Sequence, residues 1–138
     1  MSDEPSIFTR IIRGELPCHK VHETESTLAF LDIMPSAEGH TLVVPKCEVP
    51  LLEDLSAEDF AALAASVQTV TRGLKAVLGF EGCNILVNNG PVAGQVVPHV
   101  HFHIIPRAEG DGLRLNSPHP QADPAALAEL AERIAAAI

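Results

Sequence analysis

The stretch that decides the fold reads His99-Val100-His101-Phe102-His103-Ile104-Ile105-Pro106-Arg107. Its apolar side chains favour a β-strand, and Pro106 is expected to end that strand. Side chains alternate across a strand, so the three histidines should line one sheet face at roughly 6.6–6.8 Å intervals. The apolar residues between them should pack into the core on the other face. Three neighbouring imidazoles on one face predict the functional site.

The histidine row is compatible with three interpretations. Alternate strand histidines can bind a transition metal, because imidazole is the commonest metal ligand. Alternatively, one histidine attacks a phosphorus atom while its neighbours hold the phosphate oxygens. The third interpretation is a polar, solvent-facing strand without chemistry. The turn-rich loop at residues 89–95, which leads directly into the row, favours a functional site over this third interpretation.

The composition indicates one globular domain. The chain has 138 residues, of which 46% are hydrophobic, and this is enough to bury a core. Its apolar runs are too short to span a membrane, and we expect no signal peptide because the first residues are acidic. A net charge of −9 argues against an extended nucleic-acid surface but not against a single nucleotide. Three cysteines without a Cys-x-x-Cys pair favour a cytoplasmic location.

Hydrophobic periodicity and capping residues predict an α+β domain. The predicted helices lie at residues 7–13, between Ser56 and Gly79, and after Asp123. The predicted strands other than the histidine strand lie at residues 21–24, 27–32, 40–44 and 83–88. The sheet should be mostly antiparallel, because no βαβ alternation is present. We expect a single domain over residues 1–138, with its core at about 6–107 and a C-terminal tail and helix at 108–138.

The histidine stretch resembles the histidine-triad motif, His-φ-His-φ-His-φ-φ with φ apolar, at every position. Further blocks that resemble the same family, in the same order, lie at residues 7–17, 28–33, 39–46 and 88–95. The chain is therefore identified as a member of the histidine-triad (HIT) superfamily, most similar to its Hint and bacterial Hint-like branch. The resemblance implies a homodimer, with a five-stranded antiparallel sheet in each subunit and the two sheets joined across the interface.

The resemblance also implies hydrolysis or transfer at the α-phosphate of a purine nucleotide conjugate, of the nucleoside 5′-phosphoramidate type. His101 would be the nucleophile and would form a nucleotidyl-histidine intermediate. A neutral imidazole can attack when an acceptor holds its other nitrogen protonated, and the carbonyl of His99 is suitably placed. His103 would contact a nonbridging phosphate oxygen, more strongly if it is protonated. By resemblance, His99 pairs with His40 in a relay behind the nucleophile.

The expected nucleotide-binding residues come from several segments. Asp32 should accept hydrogen bonds from both ribose hydroxyls, as its counterpart does in the family, and Asn88 should bond the ribose or a phosphate. An apolar slot would hold the base by its faces, and backbone N–H groups of a loop would hold the phosphate. The slot consists of Ile7, Phe8, Ile11, Phe30 and Ile33, and the loop of Gln95, Val96 and Val97.

Two features depart from the family pattern. Many bacterial relatives have a Cys-x-x-Cys pair and a histidine that complete a structural zinc site with the first triad histidine. This chain has Ser6, Thr9 and Glu48 at those positions, so that site is not expected, and we predict no metal and no cofactor. Val96 stands where several relatives have Ser or Thr, and valine cannot donate a hydrogen bond.

Two other functions are compatible with the sequence. One is cleavage of dinucleoside polyphosphates, which requires room beyond the α-phosphate. The other is a nucleotide-binding interaction protein with incidental turnover. In each case the expected partners are a purine nucleotide and a second copy of the chain, with neither extended nucleic acid nor a membrane. His19, His22 and His119 match no motif and are expected at the surface.

Overall fold

The computed structural model describes residues 4–115 and 120–138, so His119 lies outside the described residues. Within these ranges the chain forms three α-helices, five β-strands and two short 3₁₀ turns. The helices are α1 (Ile7–Ile12), α2 (Ala57–Leu78) and α3 (Pro124–Ala136). The strands are β1 (Lys20–Glu23), β2 (Thr27–Leu31), β3 (Thr41–Pro45), β4 (Gly82–Val87) and β5 (Phe102–Arg107). The predicted α+β class with a five-stranded sheet is confirmed.

Every pair of neighbouring strands is antiparallel, and the sheet order is β1-β2-β3-β5-β4. The chain leaves β3, crosses through α2 to the edge strand β4, and returns as β5 between the two. The histidine segment therefore enters the middle of the sheet. An interior strand holds its side chains more rigidly than an edge strand, because both of its flanks can form hydrogen bonds.

The two faces of the sheet have different partners, because side chains alternate along each strand. On β3, Val43 packs with Leu74 of α2 and with α3 in the main core. Leu42 and Val44 point the other way, into a smaller cluster with Phe8 of α1. The two longer helices thus cover one face. The short α1 covers only part of the opposite face and leaves room there for a site.

Three of the predicted helix-cap residues, at both ends of α2 and at the start of α1, are confirmed. The Oγ of Ser56 accepts a hydrogen bond of 3.0 Å from the N–H of Asp59 at the start of α2. Gly79 ends that helix with a φ of +68°, in the left-handed region that glycine adopts most readily. The Oγ of Ser6 accepts a bond of 3.0 Å from the N–H of Thr9, so α1 begins where the sequence predicts.

The histidine strand begins later than predicted. β5 starts at Phe102, so His99 and His101 lie in the irregular segment before it. The N–H of Val100 donates to the carbonyl of Val49, at 2.9 Å, instead of joining a strand ladder. The row therefore depends on contacts with a distant loop, and the apolar pattern of the stretch does not reveal them.

The strand also ends later than predicted, because Pro106 lies within β5. On the β3 side, strand pairing stops at Ile104, opposite Thr41. Proline has no N–H to donate, and within residues 4–115 and 120–138 no strand pairs with Pro106 on the β3 side. β4 continues alongside on the other flank and pairs with β5 as far as Arg107.

The C-terminal helix packs on the body of the domain, beyond the predicted core boundary at residue 107. The buried face of α3 joins the main core through Leu127, Leu130, Ala131 and Ile134. His19 and His22 are half-buried, so they are less exposed than expected. Among the described residues, no helix is both long and apolar enough to span a lipid bilayer.

Candidate active site

The three motif histidines lie on the sheet face that α1 half covers. His99 is fully buried, His101 is almost fully buried, and His103 is partly exposed. The ring centroids of His101 and His103 are 4.9 Å apart. The predicted row is therefore present, although only His103 belongs to a regular strand.

His99 is fixed at both ring nitrogens. Its Nε2 lies 2.8 Å from the carbonyl oxygen of Pro45, and its Nδ1 lies 2.7 Å from the Oγ of Ser6. A carbonyl only accepts, so Nε2 carries the proton and Nδ1 accepts from the serine hydroxyl. Burial lowers the pKa of His99, which keeps the ring neutral. With both nitrogens bonded to protein, His99 anchors α1 to β3 and is not a nucleophile.

His101 has one nitrogen bonded and one available. Its Nδ1 lies 2.8 Å from the carbonyl oxygen of His99 and therefore donates the proton, which confirms the predicted orienting group. Burial lowers the pKa of His101 below its usual 6.5, and the hydrogen bond to His99 opposes this only in part. In the neutral ring, Nε2 holds a lone pair. His101 also lines a cleft that runs beside the histidine row, between α1 and the end of β2. The ring of Phe8 supports the imidazole edge-on, at a centroid distance of 4.8 Å.

His103 pairs with His40, whose Nε2 lies 2.9 Å from the Nδ1 of His103. The N–H of Ser36 donates to the Nδ1 of His40 at 2.9 Å, so the proton of His40 is on Nε2 and is donated to His103. His103 then carries its own proton on Nε2, which finds no protein partner among the described residues. Burial lowers the pKa of His103 to about 3, with His101 and His40 contributing. His103 is thus a neutral donor and lacks the positive charge that would strengthen its bond to a phosphate oxygen.

The predicted pairing of His40 with His99 is wrong. β3 and β5 run antiparallel with Leu42 opposite His103, so the residues before Leu42 lie alongside the end of the row that contains His103. His99 lies at the opposite end of β3, where it contacts the carbonyl of Pro45. His40 consequently supports the neighbour of the nucleophile and not the residue behind it.

Asp32 follows directly after β2 and lines the same cleft as His101 and His103. Its Oδ1 accepts a hydrogen bond of 2.8 Å from the N–H of Met34, and its Oδ2 lies 3.6 Å from the Nε2 of His40. The carboxylate is therefore held in a tight turn while part of it faces the cleft. Its binding of the ribose hydroxyls stays a prediction.

Asp32, His40 and His103 bring three potential metal ligand atoms within 4.8 Å of one another. A metal bound to the Nε2 of His40 would need a lone pair there, with the proton moved to Nδ1. The N–H of Ser36 already points at that Nδ1, so two hydrogens would face each other. Metal-ligating histidines normally offer their second N–H to an acceptor. The hydrogen bonding therefore disfavours a metal at this group, and the absence of a metal stays a prediction.

The cleft beside the histidine row has a volume of about 580 Å³ and an apolar wall. The predicted nucleotide-binding residues that line it are Ile7, Phe8, Ile11, Phe30, Asp32, Ile33, Asn88, Val96 and Val97. The lining residues that the prediction missed are Leu16, Pro17, Cys18, Leu31, Met34, Leu42 and Gly94. Strand alternation on β3 could have identified Leu42, because it shares a sheet face with Val44 and Phe30. The segment at residues 16–18 carries no comparable signal.

Gln95 does not line the cleft, so its prediction as a nucleotide-binding residue is wrong. Its side-chain Oε1 accepts from the N–H of Gly90, and its Nε2 donates to the carbonyls of Pro50 and Val97, at 2.7–2.9 Å. Its backbone N–H donates to the carbonyl of Gly90 at 3.2 Å. Gln95 therefore fastens the loop to the rest of the protein, and its polar groups are already used.

Asn88, Val96 and Val97 remain available to a ligand. The side-chain amide of Asn88 and the N–H groups of Val96 and Val97 have no hydrogen-bond partner in the described ranges. Asn88 is half-buried, whereas the side chain of Val96 is 90% exposed at the mouth of the cleft. Two backbone donors and one amide thus belong to residues that line the same cleft as His103.

Ser6, Thr9 and Glu48 converge on the buried side of His99. The Oε1 of Glu48 accepts bonds of 2.6 Å from the N–H of Ser6 and from the hydroxyl of Thr9. Two hydroxyls and a carboxylate thus stand together at the three positions where the sequence predicts that the family's zinc ligands are absent. The cluster satisfies the Nδ1 of His99 with a hydrogen bond from Ser6.

Comparisons with known proteins agree with this geometry. A family model described as the HIT domain matches residues 13–110. An uncharacterized HIT-like protein of Methanocaldococcus jannaschii is 52% identical over 106 residues, which cover 77% of this chain and 81% of that protein. The adenosine 5′-monophosphoramidase of Schizosaccharomyces pombe is 41% identical over 133 residues, which cover 96% and 97%.

A crystal structure gives the same result at the level of the fold. It is that of a Hit-like protein from Bartonella henselae, described as involved in cell-cycle regulation, and it matches this chain with a TM-score of 0.90 at 36% identity. The match covers the whole of both chains. The family model, the relatives and the fold together show that this chain belongs to the histidine-triad (HIT) family.

Proposed function

We propose that this protein hydrolyses purine nucleotide conjugates at the α-phosphate, with nucleoside 5′-phosphoramidates as the leading substrate class. The observation that carries the proposal is the tautomer of His101. Its Nδ1–H is held by the carbonyl of His99, so an unprotonated Nε2 remains beside a cleft large enough for a nucleoside. The similarity to a protein named adenosine 5′-monophosphoramidase supports the substrate class.

In the first step, the lone pair on the Nε2 of His101 forms a bond to the α-phosphorus, and the bond from phosphorus to the leaving nitrogen breaks. The imidazole then carries a positive charge, which the carbonyl of His99 stabilises through the Nδ1–H bond. The leaving amine takes its proton from solvent at the open mouth of the cleft, because the side chain of Val96 has none to give.

In the second step, water attacks the same phosphorus atom and the Nε2–P bond breaks. The electron pair returns to the Nε2 of His101, and the attacking water loses a proton to solvent. The products are a nucleoside 5′-monophosphate and a free amine. His101 is regenerated in its starting tautomer, so no proton has to be moved within the ring between turnovers.

Neutral donors stabilise the charge that develops on the phosphate oxygens. The Nε2–H of His103 and the N–H groups of Val96 and Val97 have no competing protein acceptor among the described residues. Donors that are already oriented towards developing charge typically supply the largest share of a rate enhancement. His40 donates a hydrogen bond to the Nδ1 of His103 and so keeps the proton of His103 on Nε2. The N–H of Ser36 in turn fixes the tautomer of His40.

The remaining part of the cleft suits a nucleoside. Asp32 can accept hydrogen bonds from both ribose hydroxyls at the polar end. The far end is formed by apolar side chains such as Phe8, Phe30 and Ile11, which contact the faces of a base. An apolar slot offers no donor or acceptor to the base edge, so we expect adenine and guanine conjugates to be used at similar rates.

Assembly and location are further parts of the proposal. β4 is an edge strand with one strand neighbour among the described residues. Two large apolar side chains are exposed, Ile85 on β4 by 46% and Phe60 on α2 by 38%. Pairing of β4 with a second copy would bury this apolar edge and form a two-fold homodimer. Light scattering should therefore give twice the chain mass of 14.7 kDa. The cytoplasmic location expected from the sequence stays a prediction.

The test compares two substrates with wild-type protein and with His101→Ala. Adenosine 5′-monophosphoramidate should yield adenosine monophosphate, and mass spectrometry after an alkaline quench, which preserves a phosphorus–nitrogen bond, should find an adenylate on the peptide that contains His101. The variant should lose both the product and the adduct. Turnover of the variant at the wild-type rate would contradict the proposal.

Diadenosine tetraphosphate is the second substrate. If it is cleaved faster than the phosphoramidate, then dinucleoside polyphosphates are the substrate class and the proposed class is wrong. If neither compound turns over while adenosine monophosphate still binds, the protein is a nucleotide-binding protein and not a hydrolase. Either outcome would leave the fold and the family unaffected.

A further inference from the structure

Glu48 is an exposed carboxylate, yet it is connected to the buried histidine row by an unbroken chain of hydrogen bonds. Its Oε1 accepts from the N–H of Ser6 and from the hydroxyl of Thr9, both at 2.6 Å. The N–H of Thr9 donates to the Oγ of Ser6 at 3.0 Å, and the Ser6 hydroxyl donates to the Nδ1 of His99 at 2.7 Å. The carbonyl of His99 then holds the Nδ1–H of His101.

Donor and acceptor chemistry gives a direction to each bond in this chain. The Ser6 hydroxyl also lies 3.3 Å from the hydroxyl of Thr9, but its shorter contact, of 2.7 Å, is to the Nδ1 of His99. A carboxylate only accepts, so the single hydroxyl proton of Thr9 is donated to Glu48. It is therefore not available to the Nδ1 of His99, which lies 3.4 Å from the Thr9 hydroxyl. Ser6 is left as the donor to His99. Removal of the Glu48 carboxylate would release the Thr9 proton and allow a second donor to compete at the same nitrogen.

The same contacts fix the helix that carries part of the cleft wall. Ser6 is the N-cap of α1, and the next turn presents Phe8 to the rings of both His99 and His101, at centroid distances of 5.7 and 4.8 Å. The bonds of Ser6 and Thr9 to Glu48 join this helix to the segment that follows β3. The position of the nucleophile is thus linked to a group on the protein surface.

We infer that Glu48 is a positioning residue for His101: by holding Thr9 and Ser6, it keeps one donor on His99, whose carbonyl orients the nucleophile. The inference rests on the proposed function, in which His101 attacks phosphorus. Glu48 touches neither substrate nor the reacting atoms. Because its side chain is exposed, its removal leaves no buried cavity, and a loss of rate would not simply follow from unfolding.

The first test measures single-turnover formation of the His101 adduct in Glu48→Ala. We expect the rate to fall roughly 10-fold, because small displacements of reacting atoms can cost up to about 100-fold. The dissociation constant for adenosine monophosphate should change less than about 2-fold. Glu48→Gln keeps an acceptor oxygen for both donors and should recover most of the rate. Glu23→Gln is the control, because Glu23 also accepts two side-chain hydrogen bonds, from Lys20 and Lys46, away from the site.

The inference is overturned if Glu48→Ala forms the adduct as fast as Glu23→Gln. It is also overturned if Glu48→Gln is as slow as Glu48→Ala, because the acceptor oxygen would then be irrelevant. A parallel loss of rate and of nucleotide affinity would likewise overturn it, since that pattern would mean that the cleft as a whole has been disturbed.

A second readout does not depend on turnover. Imidazole ¹⁵N chemical shifts report which nitrogen of each histidine is protonated, and the wild-type protein should show His99 protonated at Nε2 and His101 at Nδ1. In Glu48→Ala the His99 and His101 signals should shift or broaden, whereas in Glu23→Gln they should not. If the wild-type protein forms no adduct, the proposed function fails, but this comparison still decides whether Glu48 positions the row. Unchanged signals in Glu48→Ala would overturn the inference.

Discussion

The two ends of the histidine row use the same side chain in opposite ways. At the buried end, both nitrogens of His99 are bonded to protein, to Ser6 and to Pro45. At the open end, His103 accepts a hydrogen bond from His40 at one nitrogen and presents an N–H to the cleft with the other. Neither ring is charged at neutral pH, because burial lowers both pKa values. The role of each histidine is therefore decided by which nitrogen its neighbours occupy and not by its charge.

The largest effect should come from the residue between the two ends. His101→Ala removes the only motif nitrogen that is unprotonated and faces the cleft, so kcat should fall by roughly 10⁴-fold or more. Steady-state assay with adenosine 5′-monophosphoramidate measures this loss, and circular dichroism checks that the fold is retained. A folded variant with more than a tenth of the wild-type rate would show that another group is the nucleophile.

Substitutions at the two ends of the row should have different effects, one on catalysis and the other on stability. His103→Ala removes one donor to the phosphate and should lower kcat by about 10²- to 10³-fold with little change in Tm. His99→Ala leaves a cavity and an unpaired hydroxyl in the interior and should lower the free energy of unfolding by about 2–4 kcal/mol. Denaturant titration and kinetics of both variants test this contrast. Equal losses of stability in the two variants would remove the distinction.

Asp32 should contribute to affinity at the open end. Asp32→Ala removes a charged acceptor for the ribose hydroxyls and should raise KM by roughly 10- to 100-fold, because hydrogen bonds to charged groups contribute about 1.5–3 kcal/mol. A 2′,3′-dideoxy substrate lacks those hydroxyls and provides the control. Wild-type and variant protein should differ much less with it. An equally large difference with the dideoxy substrate would assign the effect to the contact between Asp32 and His40.

The smallest effect is that of pH. Protonation of His101 would remove the Nε2 lone pair, and burial places its pKa below the usual 6.5. The value of kcat/KM should therefore be constant from pH 8.5 to about 6.5 and fall at most about tenfold per unit below the pKa. His103, with a pKa of about 3, stays neutral throughout this range. A fall that begins at or above pH 7 would contradict the buried, neutral nucleophile.

Local patterns predicted the helices and the face of the cleft. The caps at Ser6, Ser56 and Gly79 involve residues at most four positions apart, and those bonds form as expected. Phe30 and Phe8 were also predicted to line the slot, with the family resemblance as guide, and the orienting carbonyl was predicted from the chemistry of the motif. These features depend on neighbours in the chain.

The errors concern contacts between distant segments. His40 pairs with His103 because of the register between β3 and β5, which the two strand sequences alone do not determine. Gln95 donates a hydrogen bond to the carbonyl of Pro50, 45 residues away in the sequence, and no local pattern indicates that its side chain bonds within the protein. The late start of β5 likewise follows from the bond between Val100 and Val49. Register and loop packing had to be seen in three dimensions.

The protonation of His99 has one more consequence. A lone pair on Nδ1, together with an Nε2–H bonded to a carbonyl, is the form in which imidazole coordinates metals, and Ser6, Thr9 and Glu48 cluster around it. Thiolates at positions 6 and 9 and an imidazole at position 48 would supply the remaining corners of a tetrahedron. In this chain, hydrogen bonds among Ser6, Thr9 and Glu48 hold the first helix against His99, two residues from the nucleophile.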